Sequence, residues 1–232
     1  MRRIIAFAIA VGLWAVPAFS QSKAVVVELF TSQGCSSCPP ADEFLHELAK
    51  RDDVVALALH VDYWDYIGWK DSFAHPGHAD RQRAYAAENG RRMIYTPQMV
   101  INGREHVVGN SPIDVSDMIN RHLQTPSTVH IDLSRVGDDV LIEAEPMTQF
   151  EEPLAVRVVR YMPESSVNIT RGENAGHTIN YANVVTDMAQ VGSWTGEEAL
   201  RLTVPAQGDQ PIVVVLQRRD GIGLVEAAAQ LK

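Results

Sequence analysis

The stretch "VVVELFTSQGCSSCPPADEFLHELAKR", residues Val25–Arg51, contains both cysteines of this 232-residue chain, Cys35 and Cys38. Its first part is a β-branched apolar run that predicts a buried strand. Its last part repeats apolar residues at helical spacing, and prolines such as Pro39 and Pro40 are tolerated in a helix only in the first turn. The two cysteines are therefore predicted to lie between the end of a strand and the start of a helix.

Cysteines at this place suit redox chemistry better than a role in stability. A bridge between Cys35 and Cys38 closes a very short ring, which restricts the unfolded chain little. A thiol just before a helix is acidified by the helix dipole, and a second thiol one turn later can expel a mixed-disulfide partner. We therefore predict that Cys35 is the nucleophile and Cys38 the resolving thiol.

The first twenty residues, "MRRIIAFAIAVGLWAVPAFS", predict a secretory signal peptide. Arg2 and Arg3 precede an apolar run, and small residues occupy the positions that a signal peptidase reads. An uncleaved membrane anchor is the less favoured alternative, because the run is short for a span and Pro17 interrupts it. We expect a periplasmic or secreted bacterial protein with no membrane segment after cleavage.

The charge of the chain bears on its partners. The sequence has 20 Lys and Arg against 29 Asp and Glu, a formal net charge of −9. Loss of Arg2 and Arg3 with the signal makes the mature chain more acidic still. Binding to a phosphate backbone needs the opposite charge, so we expect no nucleic-acid partner.

The remaining pattern predicts two different halves. After the first strand and helix come a strand at Val54–Val61, a helix at Ala79–Gly90, a hairpin turning at Asn102–Gly103 and a helix ending at Gln124. Beyond a linker, "TPST", the segments alternate as strands do and predict an antiparallel β-sandwich. The predicted limits are a signal peptide at 1–20, a β-α-β-α-β-β-α domain at 21–124 and an all-β domain at 125–232.

The Cys-x-x-Cys motif, together with Thr96–Pro97 at the entrance of a strand, resembles the thioredoxin superfamily. The resemblance implies an α/β thioredoxin-like domain in which Pro97 is cis and the Thr96 backbone pairs with an extended substrate. It also suggests that Glu28 is a buried acid that relays protons to Cys38, although Glu28 as an exposed strand residue is an equal alternative.

Longer matches narrow the resemblance to an uncharacterised bacterial family of secreted thioredoxin-like proteins, a domain-of-unknown-function group. They are "VVVELFTSQGCSSCPPAD", "HVDYWDYIGWKD", "RQRAY", "YTPQMVINGREHVVG" and "RGENAGHTINYANVV". The motif departs from both reducing thioredoxins and strong oxidants, since Gly34 precedes it and Ser36-Ser37 fill it. The resemblance therefore implies a fold but no direction of electron flow.

Two further segments have alternative interpretations. The aromatic segment after the second strand offers Tyr63 and Trp64 for partner recognition, although a loop packed around its own aromatics is slightly favoured. The segment Arg171–Val185 either lines a binding surface or is a loop whose Asn side chains satisfy its own backbone, and the second interpretation is preferred. Its candidate binding residues are Arg171, Glu173, Asn174 and His177.

These observations favour a secreted or periplasmic thiol–disulfide oxidoreductase that acts on protein thiols or disulfides and needs no cofactor. The alternative is a non-catalytic module on a thioredoxin fold that handles copper or zinc or binds another protein. His75 and His78 could join Cys35 and Cys38 as metal ligands, but they lie far from Cys38 compared with a compact zinc finger. We therefore predict no metal site.

Overall fold

The structure, a computed structural model, describes residues 23–232, so the predicted signal peptide at 1–20 lies outside the described residues. No helix in 23–232 is long and apolar enough to cross a membrane. The elements are β1 (Val25–Thr31), α1 (Pro39–Ala49), β2 (Val54–His60), α2 (Pro76–Glu88), β3 (Gln98–Ile101), β4 (Glu105–Val108), α3 (Pro112–Gln124), β5 (Val129–Val136), β6 (Asp139–Pro146), β7 (Leu154–Asn168), β8 (Thr178–Trp194), β9 (Leu200–Pro205), β10 (Ile212–Gln217) and β11 (Val225–Leu231).

The strands of residues 23–232 form one large and one small sheet. The large sheet is mixed and has eight strands in the order β11-β10-β7-β8-β2-β1-β3-β4, while β5, β6 and β9 form a three-stranded antiparallel sheet. The middle strands of the large sheet are β8 and β2, which are joined by the parallel pairing of Ala58 with Val184, and β1 pairs in parallel with the other edge of β2.

The predicted fold, an α/β thioredoxin-like domain followed by a separate antiparallel sandwich, is wrong. Strands from both sides of the "TPST" segment share the eight-stranded sheet, because β8 occupies the edge of β2 that β1 leaves open. Strand periodicity shows which residues are buried but not which strand lies alongside, so the sequence pattern could not reveal this pairing. Thr125–Thr128 does connect α3 to β5, and the domain limits at 124 and 125 stay a prediction.

Successive side chains of β1 point to opposite faces of the large sheet. One face packs against α1 and α3, whose buried residues include Leu45, Leu48 and Ile119, and the other faces α2. Burial of each such leucine stabilises the fold by roughly 1.5–3 kcal/mol. The β1 residues on the α1 side are Val25, Val27 and Leu29, and those on the α2 side are Val26 and Phe30.

The longest strands, β7 and β8, form a hairpin that pairs from Leu154 with Trp194 to Asn168 with Thr178. The register shifts between Arg160 and Tyr161. The part before the shift lies beside β10, and the part beyond it runs beside β2. The hairpin therefore carries its loop, residues 169–177, to the end of the sheet at which α1 begins.

Candidate functional site

Cys35 and Cys38 form a disulfide at the N-terminus of α1, with their Cα atoms 5.4 Å apart. Cys38 is the N-cap residue, and its carbonyl oxygen accepts hydrogen bonds from the amides of Ala41 and Asp42, at 2.8 and 3.1 Å. The cysteines are 1% and 0% exposed, whereas Ser36 and Ser37 between them are exposed. The disulfide therefore lies just beneath the surface, at the positive end of a helix dipole.

The β7–β8 loop holds the segment that contains Cys35. The side-chain amide of Asn174, which is buried, donates hydrogen bonds to the carbonyl oxygens of Gln33 and Cys35, at 2.9 and 3.0 Å. The preferred interpretation of this loop, in which its Asn side chains satisfy its own backbone, does not hold for Asn174. No local sequence signal singles Asn174 out, because its partners lie about 140 positions away. The other candidates, Arg171, Glu173 and His177, are exposed.

The aromatic segment after β2 packs against the residues that precede the disulfide. A Cβ atom on Gly34 would lie 3.2 Å from the Cβ of Trp64 and 3.3 Å from the Cδ1 of Ile67, which explains why a glycine precedes Cys35. The indole Nε1 of Trp69 donates a hydrogen bond to the side-chain oxygen of Gln33 at 2.8 Å. This segment is therefore part of the wall of the disulfide site.

The Thr96–Pro97 peptide bond is cis, the isomer that the resemblance implies. Trp64 donates a hydrogen bond from Nε1 to Thr96 Oγ1 at 2.7 Å. Pro97 and Ala41 of α1 face each other across Gly109, on which a Cβ atom would lie 3.1 Å from the Cβ of each. Pro97 therefore lies near the first turn of α1, and Trp64 joins Thr96 to the residue that precedes Cys35.

Tyr63, the other aromatic candidate, has a different setting. Its hydroxyl donates a hydrogen bond to Gln82 of α2 at 3.1 Å, and burial raises the pKa of Tyr63 to about 12. Tyr63 is half-buried and its hydroxyl anchors the aromatic segment to α2. Its role in partner binding stays a prediction.

Glu28 is buried, with its carboxylate on the α2 side of the sheet, so the alternative of an exposed strand residue is wrong. Arg81 of α2 donates from Nε to Oε1 at 2.6 Å and from a terminal nitrogen to Oε2 at 3.0 Å. The Tyr85 hydroxyl donates to Oε2 at 2.5 Å and itself accepts from Gln217 at 2.9 Å. The carboxylate is thus part of a hydrogen-bonded ion pair, and its role as a proton relay stays a prediction.

A second buried acid, Asp42, lies one helical turn after Cys38. Its side chain is 2% exposed, and neither carboxylate oxygen has a hydrogen-bond partner in residues 23–232. Burial raises the pKa of Asp42 from its usual 3.8 to about 7, although the nearby His60 opposes the shift. No sequence signal singles out Asp42, because an acidic residue in a first helical turn is common and indicates no special role.

His60 and Asp71 form a buried pair next to Asp42. The Nδ1 atom of His60 lies 2.8 Å from Asp71 Oδ2, and both side chains are 0% exposed. Burial alone would raise the pKa of Asp71, but hydrogen bonds from His60 and from the amides of Gln33 and Phe73 hold it below its usual value. Asp71 therefore stays ionised and orients the His60 ring.

The alternative metal ligands are not brought together. His75 caps α2 by accepting a hydrogen bond from the Gly77 amide at 3.1 Å, and His78 Nδ1 lies 2.9 Å from the His60 carbonyl oxygen. Burial lowers the pKa of His78 to about 4. Across the described chain, no three or more His, Cys, Asp or Glu side chains are grouped so as to hold a metal ion. The structure thus gives no support to a Cys₂His₂ site.

Comparisons with known proteins identify relatives but not an activity. The sequence profile of one family, described as protein of unknown function (DUF1223), matches residues 26–217. The crystal structure of protein AGR_C_4864 from Agrobacterium tumefaciens is 33% identical, with a TM-score of 0.78 over 91% of this chain and 96% of that one. HBP35 of Porphyromonas gingivalis shares the fold at 14% identity, with a TM-score of 0.63 over 91% and 76% of the two chains.

A search of curated proteins finds no match to this sequence. The predicted resemblance to an uncharacterised family is confirmed, while the comparisons give no support for membership of the thioredoxin superfamily. The profile match covers most of the chain, and the Agrobacterium protein is similar along nearly its whole length. The chain therefore belongs to the DUF1223 family of proteins of unknown function.

Proposed function

We propose that this protein is a thiol–disulfide oxidoreductase that acts on thiols or disulfides of other proteins. The observation that carries the proposal is the Cys35–Cys38 disulfide at the N-terminus of α1, formed by the two cysteines of the chain. A bridge across so short a loop adds little stability, and the helix N-terminus favours a thiolate once the bridge opens. Reactivity is therefore the better reason for this pair.

The exchange proceeds in two balanced steps. A partner thiolate attacks Cys35 Sγ, the disulfide breaks, and its electron pair remains on Cys38. A second partner thiolate then attacks the partner's own sulfur in the mixed disulfide and releases Cys35 as a thiolate. The partner leaves as a disulfide and this protein as a dithiol, and the reverse sequence reduces a partner disulfide. The α1 dipole stabilises the Cys35 thiolate in both directions.

The surroundings of the disulfide suit a polypeptide partner. Trp64, Thr96 and Pro97 lie around the start of α1, and Tyr66, which is 80% exposed, stacks on Trp64 with ring centroids 6.4 Å apart. We assign the Thr96 backbone and the Trp64–Tyr66 pair to partner binding. Because the cysteines are buried beneath Ser36 and Ser37, the partner must displace these serines to reach Cys35.

The compartment follows from the predicted signal peptide. A periplasmic or secreted protein meets an oxidising environment, in which disulfides form and persist. Partners there are exported proteins with thiols or disulfides. The acidic charge of the chain, −9 overall, disfavours nucleic acid as a partner.

The proposal is tested by turnover of a protein substrate. Wild type should reduce insulin disulfides, or oxidise a reduced test protein, whereas Cys35→Ser should lose the activity by about a hundredfold or more. Cys38→Ser should instead accumulate a mixed disulfide with the substrate. Ser134→Ala, an exposed change on β5, is the control and should behave as wild type.

The reduction potential of the pair decides the direction of transfer and can also overturn the proposal. A potential near about −120 mV would identify an oxidant, and one near about −270 mV a reductant. A potential well below about −300 mV, or equal turnover by wild type and Cys35→Ser, would refute the proposed function.

A further inference from the structure

A cluster of buried polar atoms lies on the α1 side of the sheet, beneath the disulfide. Thr31 and His60 are register partners at the last positions of β1 and β2. Asp42 of α1 faces both of them, and the Tyr181 ring of β8 packs against the His60 ring with centroids 4.8 Å apart. Four elements therefore contribute one side chain each to this cluster.

The polar atoms of the cluster lack partners. Within the described residues, eight side-chain nitrogen or oxygen atoms are buried without a hydrogen bond to another protein group, and five of them belong to this cluster: both carboxylate oxygens of Asp42, Thr31 Oγ1, His60 Nε2 and the Tyr181 hydroxyl. Buried polar groups in folded proteins are almost always hydrogen-bonded, and each exception needs an explanation such as a catalytic role or an ordered water. The position of this cluster beneath a disulfide favours a role in the chemistry of the disulfide.

Position on α1 links this cluster to one of the two sulfurs. Cys38 and Asp42 are four residues apart and both are buried, so their side chains lie on the same face of the helix. The Asp42 amide also donates a hydrogen bond to the Cys38 carbonyl oxygen at 3.1 Å. Asp42 is thus the acid one helical turn below the thiol that leaves when the disulfide opens.

We propose that Asp42 is the proton donor and acceptor for Cys38, and that Thr31, His60 and Tyr181 form the polar wall that admits both of its protonation states. This inference rests on the proposed exchange reaction. When a partner thiolate breaks the disulfide at Cys35, the electron pair remains on Cys38. The Asp42 carboxyl then gives its proton to that sulfur, leaving a thiol and a carboxylate. In the reverse direction the carboxylate takes the proton back, and the Cys38 thiolate attacks the mixed disulfide.

Charges from each neighbouring element act on Asp42. His60 of β2 and the Thr31 hydroxyl of β1 favour the carboxylate, while Asp71 in the segment after β2 opposes it. Tyr181 of β8 also faces Asp42. His46 lies one turn further along α1, on the same face as Asp42, and its Nε2 atom is buried. Burial is the dominant effect and raises the pKa of Asp42 to about 7, so Asp42 can exchange a proton near neutral pH.

The competing acid, Glu28, is placed differently. Its carboxylate is held by Arg81 and Tyr85 on the α2 side of the sheet, whereas α1 packs on the other side. The hydrogen bonds from Arg81 and Tyr85 hold the Glu28 carboxylate towards α2 and away from Cys38. The geometry therefore favours Asp42 for proton transfer to Cys38.

The test is the rate at which excess dithiothreitol reduces the disulfide between about pH 5 and pH 9, expressed per reagent thiolate. For wild type this rate constant should fall by about tenfold or more as the pH rises through about 7, because Asp42 loses the proton that it donates. Asp42→Asn should be slow and flat over the same range. Glu43→Gln, an exposed neighbour with the same change of charge, should follow wild type.

A second measurement serves if Asp42→Asn does not fold. The infrared difference spectrum between oxidised and reduced wild type, recorded below pH 7, should show a change in a protonated-carboxyl band. Tyr181→Phe should shift the pH midpoint of that band.

The proposal is overturned if the reduction rate of Asp42→Asn depends on pH as that of wild type does. It is also overturned if the infrared difference spectrum of wild type shows no change in a carboxyl band. Because the reductant is a small dithiol, both readouts are independent of protein substrates. Failure of both the insulin-reduction and the test-protein-oxidation assays would therefore refute the proposed function and not the role of Asp42.

Discussion

Two buried acids on opposite sides of one sheet have opposite surroundings. Glu28 accepts two hydrogen bonds from Arg81 and one from Tyr85. The Asp42 carboxyl group makes no hydrogen bond of normal geometry with any described group, although the Thr31 hydroxyl is close enough to favour its charged form. The hydrogen bonds to Glu28 hold its carboxylate between β1 and α2, whereas burial of the unpaired Asp42 favours its protonated form. Burial alone thus does not distinguish a structural acid from a reactive one.

The largest loss of stability should come from removing Arg81, the partner of Glu28. Arg81→Met leaves Glu28 charged and buried without a counter-charge, which should lower the free energy of unfolding by about 3–5 kcal/mol. Urea unfolding measures the loss. Arg83→Met, on the same helix with an exposed ion pair to Asp80, is the control and should change stability by no more than about 1 kcal/mol. Similar losses in the two variants would contradict the assignment of a buried ion pair.

Asp42, the unpaired acid, should make the free energy of unfolding depend on pH. Between its usual pKa of 3.8 and its folded value of about 7, Asp42 is protonated in the folded chain and ionised in the unfolded chain. Stability should therefore fall as the pH rises through this range, by roughly 4 kcal/mol at full effect. Asp42→Asn should lack this loss, so unfolding free energies of wild type and variant should diverge between about pH 4 and pH 7 in favour of the variant. Parallel curves would place the pKa of Asp42 near its ordinary value.

Two tyrosines give the smallest but most closely matched comparison. Tyr85→Phe removes a hydroxyl that bonds Glu28, Arg81 and Gln217 and should cost about 1.5–3 kcal/mol of unfolding free energy. Tyr181→Phe removes a buried hydroxyl that has no partner among residues 23–232, so it should be neutral or slightly stabilising. Thermal unfolding of the two variants side by side checks this. Equal destabilisation would show that the Tyr181 hydroxyl is also bonded.

Local patterns predicted the core of the site. The apolar run of β1 and the prolines at the start of α1 placed the cysteines between strand and helix. These features depend on side-chain periodicity and on the restricted backbone of proline, both of which are visible in a short segment. The cis bond at Thr96–Pro97 was implied instead by the family resemblance, and the structure has it. The spacing of the two cysteines allowed a redox pair or a metal site, and the structure has a disulfide.

Long-range pairing accounts for what the sequence did not predict. The β2–β8 contact and the bonds from Asn174 to the cysteine segment join residues more than a hundred positions apart, and no local pattern encodes them. The same limit affects the two acids, since Glu28 and Asp42 differ through partners on other elements. The resemblance to the thioredoxin superfamily suggested Glu28 as the acid that exchanges protons with Cys38, whereas the geometry of this chain favours Asp42.

The bonds from Asn174 also have a consequence during synthesis. Asn174 follows Cys35 by 139 residues, so at about 5–20 residues per second the ribosome needs roughly 7–28 s to reach it after the first cysteine. Throughout that interval the nascent chain contains both thiols without the loop that later holds their segment. A fragment ending at Gln124 keeps the motif in this immature setting. The bonds that hold the cysteine segment in place can therefore form only when the chain is nearly complete.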